Sequence, residues 1–414
     1  MLEKMKSAWR IPELRKKIIY TFGMLLLYRL LCCIPVPGVN IAAVSDAVKN
    51  FSVLDFMNMM TGGSFQNMTI MAMGITPYIN ASIILQLLTV AIPTLEKLAK
   101  EGPEGRKKIT EWTRYLTVAL AFIQAVGLVF AMRANSYGGI WYLVIGVSMA
   151  AGTSLAMWIG ERITENGIGN GISLLIMAGI VSNMFNWSRQ AVVGMVNGTV
   201  GIIAVLVVIV AFLVMIVAIT YVDMGERRIP VQYAKRMVGR KMYGGQSTHI
   251  PMKLNSTGVM PLIFGFAILQ FPATVFAFFP TSGINLWWQG FQSGVWYQLV
   301  LAVLIIAFTY FYTGITFNPV DISKNMQQNG GIIPGIRQGR ATTDYLARVS
   351  SRLTLFSALF LAVLATIPTI ITRLFGVSTP FAASSVLIAV SVGIETIRQI
   401  EAQMVMRHHK GFLG

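Results

Sequence analysis

Residues 61–97, TGGSFQNMTIMAMGITPYINASIILQLLTVAIPTLEK, read as one and a half membrane spans. The stretch from Ile75 to Leu95 is long and apolar enough to cross a bilayer, which takes about 20 residues. The part before it is Met-rich, opens at Gly62-Gly63, breaks at Gly74 and is too short to cross. Irregular backbone survives at membrane depth only where protein or a water-filled cavity shields it from lipid. The segment ahead of Gly74 therefore belongs inside a cavity that the rest of the chain must build.

Composition sets the class. Hydrophobic residues make up 55% of the 414 residues and charged ones 12%, with a mean hydropathy of +0.65; soluble domains carry about 25% charged residues. Further apolar stretches run from Ile18 to Ile34, Leu116 to Met132, Ile140 to Ile159, Ile172 to Met184 and Gly201 to Val222. Others follow from Val259 to Phe279, Trp296 to Phe317, Leu353 to Ile371 and Phe381 to Ile397. The sequence thus predicts an all-α polytopic membrane protein with about ten transmembrane helices, because a barrel would show short alternating strands instead. The first span follows a basic, amphipathic N-terminus and lacks a small-residue cleavage site, so it is expected to be retained. Arg29 lies inside it, within about a turn and a half of its far end, and is expected to snorkel to the interface.

Net charge is +17 on a chain with little charge in total. Counting alternate sides, one side collects the clusters at Lys4–Lys17, Lys97–Arg114, Arg227–Lys253, Lys324–Arg352 and Arg398–Lys410. The other has Lys49, Arg133, Arg189 and Arg373. By the positive-inside rule both termini are cytoplasmic. An even number of spans splits into halves of five, residues 1–190 and 191–414, and because five is odd the second half enters the membrane inverted. Inverted repeats commonly enclose a central pathway. No residue-level repeat accompanies this arithmetic.

Two cytoplasmic loops, about 223–253 and 318–352, are longer than a tight turn needs. Their clustered Lys and Arg, with Tyr233 and Tyr243 between, read either as ordinary positive-inside excess or as a docking surface for an anionic, polyphosphate partner. Pro334, Gly335 and Gly339 would hold Arg337 on a loop tip. GIGNG at Gly167–Gly171 lacks the GxGxxG spacing and reads as a flexible cytoplasmic turn. Gln86, Gln124 and Gln270 interrupt apolar spans. They bond helix to helix, or they face one another where two helix groups must separate. Ile79 and Ile83 lie one turn apart on one helix face, as do Ile176 and Ile180, and a ring of apolar side chains closes a pore by dewetting. Cys32 and Cys33 are read as small buried hydrophobes, and His408 and His409 as part of a basic tail. No metal or cofactor is expected.

GITPYINASIILQLLTVAIPTLEKLAKEGPEGRKKITEWTRY, ENGIGNGIS, ERRIPVQYAKR and IPGIRQGRAT, in this order, closely resemble the bacterial SecY family, the channel subunits of the Sec protein-conducting translocon. The likeness extends over essentially the whole chain. It implies two five-helix halves around a central hourglass pore in the bacterial cytoplasmic membrane, opening sideways to lipid. It assigns Ile79, Ile83, Ile176, Ile180, Ile263 and Ile388 to the pore ring. It makes about 54–67 the plug, with Leu54, Asp55, Phe56, Met57, Gly62, Gly63, Ser64 and Asn67, followed by a short re-entrant helix. It places the spans from Thr76 and Val259 on the two faces of a lateral gate, where Gln86, Gln124 and Gln270 would lie. Arg337, with Arg340 beside it, matches the loop that engages the SecA motor and the ribosome, and Arg240 and Lys241 the basic tip of the other docking loop. SecE and SecG as small membrane subunits, signal peptides, nascent preproteins and membrane lipid complete the implied partners. Many relatives read IPGIRPG; here Gln338 replaces the second proline, which is expected to loosen the loop tip.

The function expected is a passive, gated conduit for unfolded polypeptide. A secondary transporter is disfavoured because Asp, Glu and His are essentially absent from the spans. An ATPase, intramembrane protease or hydrolase is disfavoured by the lack of P-loop, HExxH and GxSxG patterns.

Overall fold

The computed structural model describes Trp9, residues 11–41, Val44, Asn58, and residues 61–131, 139–198, 201–233, 236–238, 241–243, 247–277, 283–375 and 383–410. The chain opens with α1 (Pro12–Leu31) and reaches α2 (Thr76–Ala91), α3 (Pro93–Lys100), α4 (Pro103–Ala131), α5 (Gly139–Asn166), α6 (Gly171–Val196) and α7 (Ile202–Met224). Strands β1 (Glu226–Tyr233), β2 (Arg236–Val238), β3 (Lys241–Tyr243) and β4 (Ser247–Lys253) come next. Then follow α8 (Met260–Ala277), α9 (Gly283–Ser293), α10 (Val295–Thr316), α11 (Pro319–Gln328), β5 (Gly331–Ile332), α12 (Arg340–Phe375) and α13 (Ala383–Lys410).

Ten of these helices, α1, α2, α4 to α8, α10, α12 and α13, match the ten apolar stretches read from the sequence. Length and composition alone qualify α4, α5, α6, α7, α12 and the run through α10 and α11 as membrane spans. The α2–α3 pair qualifies only as a broken span, bent by 107°. That bend corrects the expected span end at Leu95. Pro93 pushes Ile92 to extended backbone (φ −108°, ψ 114°), which ends α2 at Ala91. The fifth span runs on to Val196, so the boundary expected at residue 190 falls within a helix.

The packing map repeats. In α1, α2, α4, α5, α6, the third helix packs on the fourth, the second on the third and the fourth on the fifth; the first packs on the fourth and fifth. The same five neighbour relations hold in α7, α8, α10, α12, α13. The two sets meet along α6 with α13 and along α4 with α8. The sequence shows no repeat because packing constrains shape and apolarity rather than residue identity.

Between α1 and α2 the chain returns through the first set as a succession of turns, from Thr61 to Ile75. The expected re-entrant helix is not formed: Gly62, Gly63, Met68 and Gly74 all have positive φ, which interrupts helical hydrogen bonding. Neighbouring backbone supplies the missing partners. Val36 N donates to Met68 O (2.9 Å) and Ile70 N to Ile34 O (3.0 Å). Phe65, Met68, Ala72 and Met73 are buried against Ala125 and Val129 of α4 and Ile145 and Met149 of α5. The segment touches α5 so closely at Gly152 that a Cβ there would lie 1.8 Å from Ile70 O.

The loops between α7 and α8 and between α10 and α12 form one body. β1 pairs antiparallel with β4, and at its far end Tyr233 pairs with Gly331 of β5. Ile229 and Val231 alternate inward from β1 onto Met252, Met326, Ile333 and Leu346. Strands were not expected here, because the partner that completes the sheet comes from the other loop. The pairing also puts both basic loops on one side of the molecule, as the alternation of charge requires.

Gly152→Val should destabilise the fold by about 3 kcal/mol, the upper part of the overpacking range. Thermal unfolding in mild detergent reads this directly, with Gly139→Ala, where a Cβ meets nothing within 4 Å, as the unaffected control.

Candidate functional site

Where the two sets meet, one apolar cluster draws on both. Ile176 and Ile180 of α6 and Ile388 of α13 are buried in it, and Ile79 of α2 and Ile263 of α8 pack against it. Ile83 is 6% exposed and lies outside that cluster. Four helices thus bring five of the six expected isoleucines together, though residue spacing alone linked them only within α2 and within α6. The cluster also holds Met71 and Ile75, from the turn segment, and Val392 of α13. These were not singled out in the sequence. Met71 and Ile75 stand four apart just ahead of α2, but isolated apolar residues in an apolar chain give no signal of their own.

The segment expected to form the plug is partly within the described residues. Leu54, Asp55, Phe56 and Met57 lie outside them. Gly62 and Ser64 are buried, Gly63 partly so, and Asn67 is exposed. Asn58 organises the turn, its Oδ1 accepting from Gln66 N (2.9 Å) and its carbonyl from Gly63 N (2.9 Å). Arg29 does not snorkel outward: its Nη2 donates to Ser182 Oγ on α6. Cys32 is buried in the central cluster, whereas Cys33 is exposed, so only one of the pair is the buried hydrophobe expected.

The three glutamines divide. Gln86 Oε1 is buried with no donor among the described residues. Gln124 is half-buried on α4, which packs on α8, the helix of Gln270. The Gln270 side chain lies outside the described residues, so its meeting with the other two is not part of the described structure.

At the loop tip, Arg337 and Arg340 are exposed. Side chains staple the backbone around them. Thr342 Oγ1 donates to Arg337 O (2.8 Å), Ser323 Oγ to Gly339 O (2.9 Å), and Gln338 Nε2 to Gly331 O (3.1 Å). Gln338 therefore ties the tip to β5, and through it to β1, which corrects the expectation that it loosens the loop. Arg240 lies outside the described residues, as does the side chain of Lys241, which opens β3.

The GIGNG turn is bonded throughout, not flexible. Ile168 N donates to Thr21 Oγ1 of α1 (3.1 Å), Gly169 N to Gln399 Oε1 of α13 (2.9 Å) and Gly171 N to Thr164 Oγ1 (2.9 Å). Asn170 Oδ1 caps α6 by accepting from Ile172 N (3.1 Å) and Ser173 N (3.3 Å). These amides have partners and are not a phosphate cradle. The turn instead joins the start of the chain to its last helix, with Leu14 and Ile168 packed beside Ile400 and Met404.

A family model described as SecY matches residues 69–397. The chain is 42% identical over 427 residues to the protein translocase subunit SecY of Aquifex aeolicus (strain VF5), covering 100% of both proteins. Its fold is similar to that of a solved protein-conducting channel (TM-score 0.70, 20% identity, 94% of this chain and 93% of that one). It is also similar to Sec61 in the canine ribosome-channel complex from the endoplasmic reticulum (TM-score 0.67, 18% identity, 94% and 93%).

Removing the tether at the loop tip should free it. One hydrogen bond contributes about 1 kcal/mol, so Gln338→Ala should speed tryptic cleavage after Arg337 about fivefold in the detergent-solubilised protein. Equal cleavage rates in the two proteins would show that the tether holds nothing.

Proposed function

The chain belongs to the SecY family, and on that footing we propose how its residues divide the work of a protein-conducting channel. The observation that carries the reading is the central cluster, in which Ile79, Ile176, Ile180, Ile263 and Ile388 come from four helices and both helix sets. Such a ring is dry when shut and deforms around a moving chain, letting polypeptide pass while restricting ions. The turn segment through Met71 and Ile75, which follows the plug of about 54–67, packs into it. The helices divide into an N-terminal half, α1 to α6, and a C-terminal half, α7 to α13, inverted relative to one another around the pathway.

The seam of α2 and α4 with α8 is the lateral gate. A nascent segment exposed there to lipid gains about 0.3 to 0.6 kcal/mol per central apolar residue and loses about 2.5 to 3.5 per charged one. Segments are thereby sorted between membrane and far side by hydrophobicity. The protein is a multi-pass membrane protein; we place its termini and both basic loops on the cytoplasmic side of a bacterial cytoplasmic membrane, as the charge asymmetry supports. The channel does no chemistry on its cargo. A motor of the SecA kind or a ribosome supplies the work and docks on the β1–β5 body, with Arg337 at its exposed tip. The canine relative is solved as a ribosome-channel complex. Small membrane subunits of the SecE and SecG kind complete the assembly.

Ile388→Asn should weaken the closed state by about 1.5–3 kcal/mol, the burial value of the side chain. Export of a reporter with a defective signal sequence should then rise tenfold or more, with a raised ion leak in reconstituted vesicles. Ile83→Asn should act in the same direction. Unchanged leak and unchanged signal selectivity in both would remove the ring assignment. Arg337→Glu should cut motor-driven export about tenfold or more, the scale expected for a charge reversed within a polyanion contact, with no change in thermal stability. Normal export in that variant would remove the docking assignment.

A further inference from the structure

α8 meets α4 at the seam between the helix sets, and the chain enters it directly from the β1–β5 body. β4 ends at Lys253 and α8 begins at Met260, with only bends and turns between them. The helices on which α8 packs are α9, α10 and α4, whereas α12 packs on α7, α10, α11 and α13. A short irregular link of this kind would by itself leave the start of α8 free to slide past α7 and α12.

The link is instead knotted at Asn255. Its Nδ2 donates to Asp223 Oδ1 in the last turn of α7 (3.4 Å). Its Oδ1 accepts from Ser357 Oγ of α12 (3.1 Å) and from Thr257 Oγ1 of the link itself (3.4 Å). One residue earlier, Leu254 N donates to Gly225 O, just past the end of α7 (2.9 Å). Asn255, Thr257 and Ser357 are all buried. A buried amide without partners is costly, and here its oxygen has two donors, one for each lone pair.

The knot is a polar layer between two apolar cores. Met252 and Leu353 belong to the core of the body, and Ile219, Leu262 and Leu361 to the core of the spans. Asn255 thus falls between Met252 and Leu262 along one strand of chain, and Ser357 between Leu353 and Leu361 along another. Apolar contact is non-directional and lets one surface slip over its neighbour. A buried polar contact is satisfied in a single register. α12 is the continuous member that crosses both cores, with Leu346 packed in the body and Leu364 among the spans.

We propose that Asn255 is a positioning residue that fastens the root of α8 to α7 and α12, so that a displacement of the docking body carries the gate helix with it. The assignment rests on the reading of the β1–β5 body as the docking surface and of the α4–α8 seam as the gate. Without the knot, a docked motor would move the body and α12 while the irregular link absorbed the motion before it reached α8.

The test uses the full chain assembled with its partner subunits in vesicles, with a motor of the SecA kind and a preprotein. Motor affinity, export rate at saturating motor and thermal stability are read together. Asn255→Leu puts an apolar side chain of similar volume in the knot, an exchange that often leaves stability unchanged. It should cut the saturating export rate about fivefold, the scale on which residues between two sites modulate their coupling, with motor affinity and thermal stability unchanged. Ser357→Ala, which removes the α12 donor alone, should cut the rate less. Spin labels at Ile268→Cys on α8 and Val363→Cys on α12, both exposed, report the tie without reference to export. Cys33→Ser removes the exposed native thiol. The distance between the labels should be more broadly distributed in Asn255→Leu than with Asn255 in place. An unchanged export rate in Asn255→Leu refutes the pin, and motor affinity lost in Arg337→Glu then leaves the docking reading standing. A slower rate with lowered thermal stability and an unchanged label distance assigns Asn255 to stability alone and also refutes it. If Arg337→Glu binds the motor normally, the docking reading fails, and the label distances decide the tie of α8 to α12: broadening upholds it and no change refutes it. Should Asn255→Leu fail to accumulate, Ser357→Ala decides, and an unchanged rate there refutes the pin.

Discussion

Backbone amides and carbonyls at membrane depth must find partners inside the protein, at a cost of several kcal/mol for each one left bare. Helices meet that demand internally, but residues 61–75 are a run of turns and do not. The rest of the first helix set is arranged around this deficit. The chain entering from α1 donates and accepts at Val36 and Ile34. Asn58 and Thr61 supply side-chain oxygens to Gln66 N and Phe65 N. α4 and α5 wrap the outward face in apolar side chains, and α5 gives up a side chain altogether at Gly152 to let the Ile70 carbonyl in. An irregular strip so well supplied with bonds is stable in place, yet it has no helical ladder of its own to keep it rigid once displaced. Both properties follow from the same constraint.

What the sequence made legible and what it hid separate along the range of the interactions involved. Apolar runs long enough to span were plain, because length and hydropathy are local quantities, and ten of them became ten helices. The isoleucines at Ile79, Ile176 and Ile180 were visible as faces of single helices, but their convergence with Ile263 and Ile388 is tertiary and entered only through family likeness. The β1–β5 pairing could not be read, since Tyr233 and Gly331 are distant in the chain and neither loop has a sheet without the other. Two expectations failed for a sharper reason. Arg29 was judged by its distance from the helix end, and Gln338 by the rigidity of the proline it displaces. In each case a specific acceptor, Ser182 Oγ or Gly331 O, overrode the general tendency.

The two contacts between the helix sets differ in kind. Along α6 and α13 the GIGNG turn is bonded to both the first and the last helix, through Thr21 and Gln399, over a small apolar core at Leu14 and Ile168. Parting that seam strands the half-buried Gly169 amide, which bonds Gln399 across it. Along α4 and α8 no comparable tie links backbone to side chain among the described residues, and Gln86 of α2, the helix packed on α4, lacks a donor among them. Polar groups left wanting in the closed state lose little when water or a passing chain reaches them, whereas groups fully bonded in the closed state lose a great deal. The second seam is therefore the less costly of the two to separate.

A channel without an energy source must also shut without a deep well, or no external push would open it. The central cluster meets that requirement by composition. Its isoleucines and methionine gain from burial against one another, about 1.5 to 3 kcal/mol each relative to water. An unfolded polypeptide threading the proposed ring offers much of that burial back, because the gain is non-directional and proportional to area. Opening by a polypeptide thus costs little net apolar contact, while opening to water alone forfeits nearly all of it. Discrimination between a chain and a leak then needs no recognition of sequence. On the proposed ring assignment it follows from lining the pathway with side chains that hold no hydrogen bonds to lose.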